Sequence, residues 1–176
     1  ANNAWTPKAA VQAIAGFSPY QPYFIEEPVF PEDIGGSAYV RATTQVPIAG
    51  YETLSHHGRY GYRKLIEEKA VDIVQFDVSW CGGLTEARKI AQLAQIYDLI
   101  CIPHCFSSGV TLVATLHLLC SIENSSLIEY DITPNPLRDE ISDFSFELSK
   151  DGTLAVPKRP GLGIKLNRET IRRFAL

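Results

Sequence analysis

Seven ionisable residues close short apolar runs in this sequence. Glu26 and Glu27 end one run, Glu52 a second and Asp77 a third; His104 follows a fourth, and Glu129 and Asp131 end a fifth. A single acid in such a place is ordinarily a solvated loop residue or a helix cap. Five successive runs that all finish in ionisable groups resist that explanation, because converging carboxylates repel one another unless a cation joins them. Glu26 and Glu52 offer hard oxygen ligands of the kind Mg²⁺ takes, in an octahedral set that retains water or substrate oxygens. Two carboxylates leave that set incomplete. Asp77 and His104 suit a different pairing. A carboxylate that accepts the imidazole Nδ1–H fixes the tautomer, raises the pKa and leaves Nε2 as a general base or acid. Taken alone, His104 equally suits a histidine bonded to a loop carbonyl. Glu27, next to Pro28, is expected to turn away, and Asp131 to serve a loop or a salt bridge.

Other chemistries fit less well. Cys101, His104 and Cys105, with Cys81 and the His56-His57 pair, suggest zinc. Adjacent strand residues point to opposite faces, however, and no second ligand pair completes a tetrahedral set. Cys81 and Cys120 are expected to pack as small buried hydrophobes. Ser107-Ser108-Gly109 lacks the G-x-S-x-G elbow of a serine hydrolase. The glycines of "CGGLTEA" precede a helix and could hold a phosphate, but they also simply permit a tight strand-to-helix turn.

The elements that must position these groups alternate along the chain. Strands are expected at 22–27, 46–52, 72–77, 99–102 and 126–131. Helices are expected at 6–15, 32–43, 61–69, 84–97 and 110–122. Thr6 can cap the first helix, with Pro7 at its first position. Ile90, Leu93, Ala94 and Tyr97 form an apolar stripe on the fourth helix. The strands are nearly continuous apolar runs, the pattern of parallel strands buried on both faces. Their recurrence about every 25 residues is the spacing of a (β/α) TIM-type barrel, whose eight units fill about 250 residues. Five strands are too few to close one, so residues 1–143 read as part of such a barrel. In 144–157, period-two alternation around Asp151-Gly152 predicts a hairpin. A loop and a short helix capped near Asn167 complete the segment 144–176.

The chain has 176 residues, 45% hydrophobic and 20% charged, with a net charge of −4. That balance weighs against nucleic-acid binding. No apolar run of about 18 residues marks a membrane span. The N-terminus does not resemble a signal peptide. Four cysteines in a chain of this length fit reduced thiols in a cytoplasmic protein. Methionine is absent, position 1 included, so the expectation is a processed start or a piece of something longer.

The stretches "FIEEP", "PIAGYE", "VDIVQFDVSWCGGLTEARKIAQLA", "PHCFSSGV", "IEYD" and "PGLGIKLN" occur in order over nearly the whole chain. Together they resemble the C-terminal barrel portion of the enolase superfamily, in its mandelate racemase subgroup. The resemblance implies Mg²⁺-dependent abstraction of the proton α to a carboxylate, through an enediolate. Such sites pair a Lys or His base with one or two Mg²⁺ ions. Matched position by position, it implies metal ligands at Glu26 and Glu52, a base at His104, its partner at Asp77, and an electrophile at Glu129 that hydrogen-bonds the substrate carboxylate. The family's first metal ligand is an aspartate in a motif similar to D-A-N, and this chain opens "ANNAW". That ligand, the second acid/base and the N-terminal capping domain are therefore expected outside this chain, with 144–176 packing on the capping domain. Dehydration of an acid sugar is the leading expectation. Racemisation of a 2-hydroxy acid, or a catalytically incomplete fragment that only self-associates, is the alternative. The implied partners are a small carboxylate substrate and, in the intact protein, further copies of itself.

Overall fold

The computed structural model describes residues 1–125 and 127–175. Four strands alternate with helices in chain order: α1 (Pro7–Phe17), β1 (Ile25–Glu26), α2 (Ile34–Thr43), β2 (Ile48–Gly50), α3 (Gly58–Glu67), β3 (Ile73–Val74), α4 (Leu84–Ile96), β4 (Ile100–Cys101) and α5 (Gly109–Leu119). Two short helices follow, α6 (Pro136–Asp139) and α7 (Arg168–Phe174). The strands form one parallel sheet in the order β1-β2-β3-β4, with Ile25 opposite Ile48, Ala49 opposite Ile73, and Ile73 opposite Ile100. This is the α/β barrel-portion architecture that the alternation predicts.

Local chemistry sets the helix starts. The Thr6 hydroxyl accepts the Ala9 N–H at 3.3 Å, with Pro7 at the first helical position, and Asp33 accepts the Gly36 N–H at 2.8 Å. Each cap satisfies a backbone donor that the helix itself leaves free. Asn167 caps α7 through the Glu169 and Thr170 N–H groups.

The sheet has two differently filled faces. On the helix side, Ala10, Ile14, Val40, Tyr62, Leu65, Ile66, Ala87, Ile90 and Ala94 pack on Ile48, Val74 and Cys101 of the strands. Burial of each large apolar side chain there contributes about 1.5–3 kcal/mol. The opposite face carries Phe24, Ala49, Ile73 and Ile102. A third cluster joins α5 to the C-terminal segment, where Leu112, Val113 and Cys105 meet Phe146.

Two expected elements differ. No fifth strand joins the sheet among the described residues; Ser126 lies outside them, and 127–131 make no ladder. The Cys101 N–H at the outer edge of β4 instead donates to the Asn124 carbonyl at 2.8 Å. The Asn124 side chain donates to Ala91 O at 3.0 Å and Leu99 O at 2.9 Å. That residue stitches β4 to α4. In 144–157 the turn forms, with Gly152 at φ +79° and Ser149 N–H donating to Thr153 O at 3.0 Å, but the flanks are not strands. Phe144 and Phe146 belong to the α5 cluster, so the alternation serves packing there.

Candidate active site

Strand alternation explains how the polar groups meet. Side chains two residues apart share a face. The apolar face that carries Phe24, Ile73 and Ile102 therefore continues, toward the strand C-terminal ends, into Glu26, Gln75, Asp77 and His104. Gln75 Nε2 donates to Glu26 Oε1 at 2.8 Å, spanning β2, which carries only Ala49 and Gly50 at that level. Asp77 and His104 are partners in a parallel bridge that extends β3 and β4. After Gly50 the alternation is lost: Tyr51 joins the helix-side core, and Glu52 opens a turn of 3₁₀ helix.

His104 Nδ1 lies 2.9 Å from Asp77 Oδ2, with the histidine side chain 13% exposed and the aspartate fully buried. Asp77 Oδ1 is engaged separately. It accepts the Ser79 N–H at 2.7 Å, the Ser79 hydroxyl at 2.5 Å and the Trp80 N–H at 3.1 Å. Burial alone would push the Asp77 carboxyl up, but those donors and His104 outweigh it and hold the pKa below the usual value. Burial pulls His104 down, while the Asp77 hydrogen bond and the charges of Glu129, Glu52 and Asp77 lift it to a net raised pKa. An imidazole so held keeps Nε2 free as the proton-transfer atom. The Asp77 backbone is itself anchored. Its N–H donates to Ser55 Oγ at 2.9 Å, and that hydroxyl meets Tyr62 Oη at 2.9 Å.

Three further carboxylates surround the pair. The Cys105 N–H donates to Glu129 Oε2 at 2.5 Å. Burial raises the Glu129 pKa, opposed by that N–H and by His104 and reinforced by Glu26 and Asp77. Glu52 is pushed up to about 8, chiefly by burial, then by its hydrogen bond with Glu27 and the Glu27 charge. Its Oε2 is buried with no hydrogen-bond partner. An unpartnered buried carboxylate oxygen beside a second carboxylate, Glu27, is what a hard cation relieves, so Glu52 fits Mg²⁺ as a donor, whereas Glu26 Oε1 is held by Gln75. Among the described residues no three His, Cys, Asp or Glu side chains converge as a metal cluster, so the donor set here is partial.

Glu27 does not turn away. It is 1% exposed at φ +41° and accepts from Asn3 Nδ2 at 2.8 Å and Thr53 Oγ1 at 3.3 Å, on the same side as Glu52. Asp131 does serve its loop, accepting from the Thr133 N–H and hydroxyl, with Arg138 at 3.9 Å. Cys101 packs in the helix-side core and Cys105 in the α5 cluster. Cys81 is buried as expected; Cys120, at the end of α5, is exposed. Tyr130 donates to Phe146 O at 3.0 Å and serves packing, whereas Phe106 is 56% exposed. Gln75, Ser55, Tyr62 and Ser79 escape a search for charged groups. The spacing of Ile73, Gln75 and Asp77 on one strand was the available signal for the first.

The architecture and the ionisable groups at its strand ends define a family. Residues 1–170 match the family described as enolase C-terminal domain-like, and the chain belongs to it. Arabinonate dehydratase of Saccharolobus solfataricus is 38% identical over 163 residues, covering 93% of this chain and 43% of that protein. D-galactarolactone cycloisomerase of Agrobacterium fabrum is 36% identical over 161 residues, covering 87% and 42%. The solved 3,6-anhydro-D-galactonate cycloisomerase of Zobellia galactanivorans superposes with a TM-score of 0.91 at 34% identity, covering 99% of this chain and 48% of that one. This chain thus spans less than half the length of the relatives it matches.

Proposed function

We propose that this chain is the base-bearing part of an acid sugar dehydratase that removes the proton α to a carboxylate. The observation that carries the reading is the Asp77–His104 pair at adjacent strand ends, 2.9 Å apart and near the carboxylates of Glu52 and Glu129. Relatives named for the dehydration of arabinonate and galactonate support the substrate class.

His104 Nε2 takes the α-proton, and Asp77 holds the resulting imidazolium by its Nδ1–H. Glu129, whose pKa is raised chiefly by burial, is the group placed to hydrogen-bond the substrate carboxylate. When bound, Mg²⁺ held by Glu26 and Glu52 supplies positive charge that makes the α-proton more acidic. The β-hydroxyl leaves as water after protonation, and His104 carries the proton suited to that step. The chain alone is expected to be inactive, and the intact protein to be a homo-oligomer.

The test is His104→Asn in the intact enzyme, with 2-keto acid product and α-proton exchange into D₂O followed by NMR. Both should fall by about 10²–10⁴-fold. Unchanged exchange would overturn the assignment of the base. Exchange without a keto acid product would favour an isomerase, the reading supported by the relatives named as cycloisomerases.

A further inference from the structure

Trp80 belongs to no step of that reading, yet it is tied to the base pair by two contacts and backed by a third group. Its backbone N–H donates to Asp77 Oδ1, the carboxylate whose other oxygen meets His104. Its indole lies 5.2 Å from the His104 ring, centroid to centroid, at an interplanar angle of 42°. His56 backs it in a parallel stack at 5.7 Å and 9°. One carboxylate therefore sets both the proton-transfer ring and the indole beside it. Trp80 is 40% exposed, a large aromatic group beside the buried Asp77 and the nearly buried His104.

We propose that Trp80 determines specificity for substrate length: its open surface carries the C–H groups of sugar carbons beyond the reacting pair. The inference rests on the acid sugar reading above. A polyhydroxy acid presents hydroxyls, which carboxylates and waters satisfy, and C–H groups, which need an apolar partner. The electron-rich face of an indole suits polarised C–H groups, and its stacking on His56 fixes the orientation without further ordering. A substrate carbon at His104 Nε2 places its next carbons against that surface. A three-carbon acid such as glycerate, which has the α-proton and β-hydroxyl needed for dehydration, stops short of it.

The test compares kcat/KM for a six-carbon aldonate and for glycerate in the intact wild type, Trp80→Ala and Trp80→Phe. The aldonate-to-glycerate ratio should fall about ten-fold or more in Trp80→Ala, the range of an apolar specificity contact. Trp80→Phe should restore most of it. Equal losses on both substrates would mean that the ring only positions His104, and an unchanged ratio would mean no role; either result overturns the proposal. Wild type that forms no keto acid from any aldonate would sink the dehydratase reading instead. Tryptophan emission during aldonate and glycerate titrations then decides separately. An aldonate-specific change present in wild type and absent in Trp80→Phe supports the contact, and an identical response in both overturns it.

Discussion

At the scale of residues, one carboxylate divides its work: Asp77 Oδ2 meets His104, while Oδ1 is saturated by Ser79 and Trp80. Asp77→Asn removes the charge that helps to hold the His104 pKa up. The acidic limb of kcat/KM should then move to lower pH, and kcat/KM should fall by about 10²–10⁴-fold; a pH–rate profile of the intact enzyme checks both. Glu52 is the opposite kind of group, a carboxyl raised to about 8 from 4.5 by burial and by Glu27. Between those values the folded chain binds more protons than the unfolded one. Stability should therefore fall as pH rises from about 4.5 to about 8 and level off above. His104, with its raised pKa, adds loss in the same direction above 6.5. Urea midpoints measured against pH should flatten in Glu52→Gln and on adding Mg²⁺. A slope that neither treatment changes would remove Glu52 as the cause.

At the scale of elements, the structure relies on polar stitches where strands are short. Tyr62 Oη, buried on α3, reaches Tyr51 O at 2.8 Å, Gln75 O at 2.9 Å and Ser55 Oγ, and Ser55 holds the Asp77 N–H. Asn124 performs the same service at the β4 edge. Asn124→Ala leaves the Ala91 and Leu99 carbonyls without that donor. It should lower unfolding free energy by about 1–3 kcal/mol, read as a lower urea midpoint at unchanged slope.

At the scale of the molecule, surface is in excess. The chain exposes 10077 Å², against about 8,500 Å² for a compact monomer of its mass. Tyr20 at 84%, Tyr23 at 61%, Phe30 at 60% and Ile132 at 86% exposure are part of that excess. Uncovered apolar surface and an open sheet edge favour association. The 176-residue chain alone should therefore run by light scattering at a multiple of 19.5 kDa; a clean monomer would contradict this. No helix among the described residues is long and apolar enough to cross a membrane.

Local rules were legible in the sequence wherever one residue type does one job. Thr6, Pro7 and Asn167 mark helix starts by their own chemistry, and the apolar runs at Ile48 and Ile73 declare buried parallel strands, whereas Ile100 of β4 is exposed. The order of ionisable groups at strand ends pointed to the candidate site for the same reason, since parallel strands gather their C-terminal ends. Residues 127–131 make no ladder, and the flanks of the turn in 144–157 do not pair, because pairing depends on a partner edge. Asn124 holds that edge for β4, and packing on α5 claims Phe144 and Phe146. Only tertiary structure decided that Glu27 lies buried beside Glu52, that Gln75 bridges to Glu26 across β2, and that Trp80 packs near two imidazoles. Those are contacts between residues 24 to 49 positions apart, which periodicity along a chain does not encode; they arise when the sheet brings separate strand ends to one level.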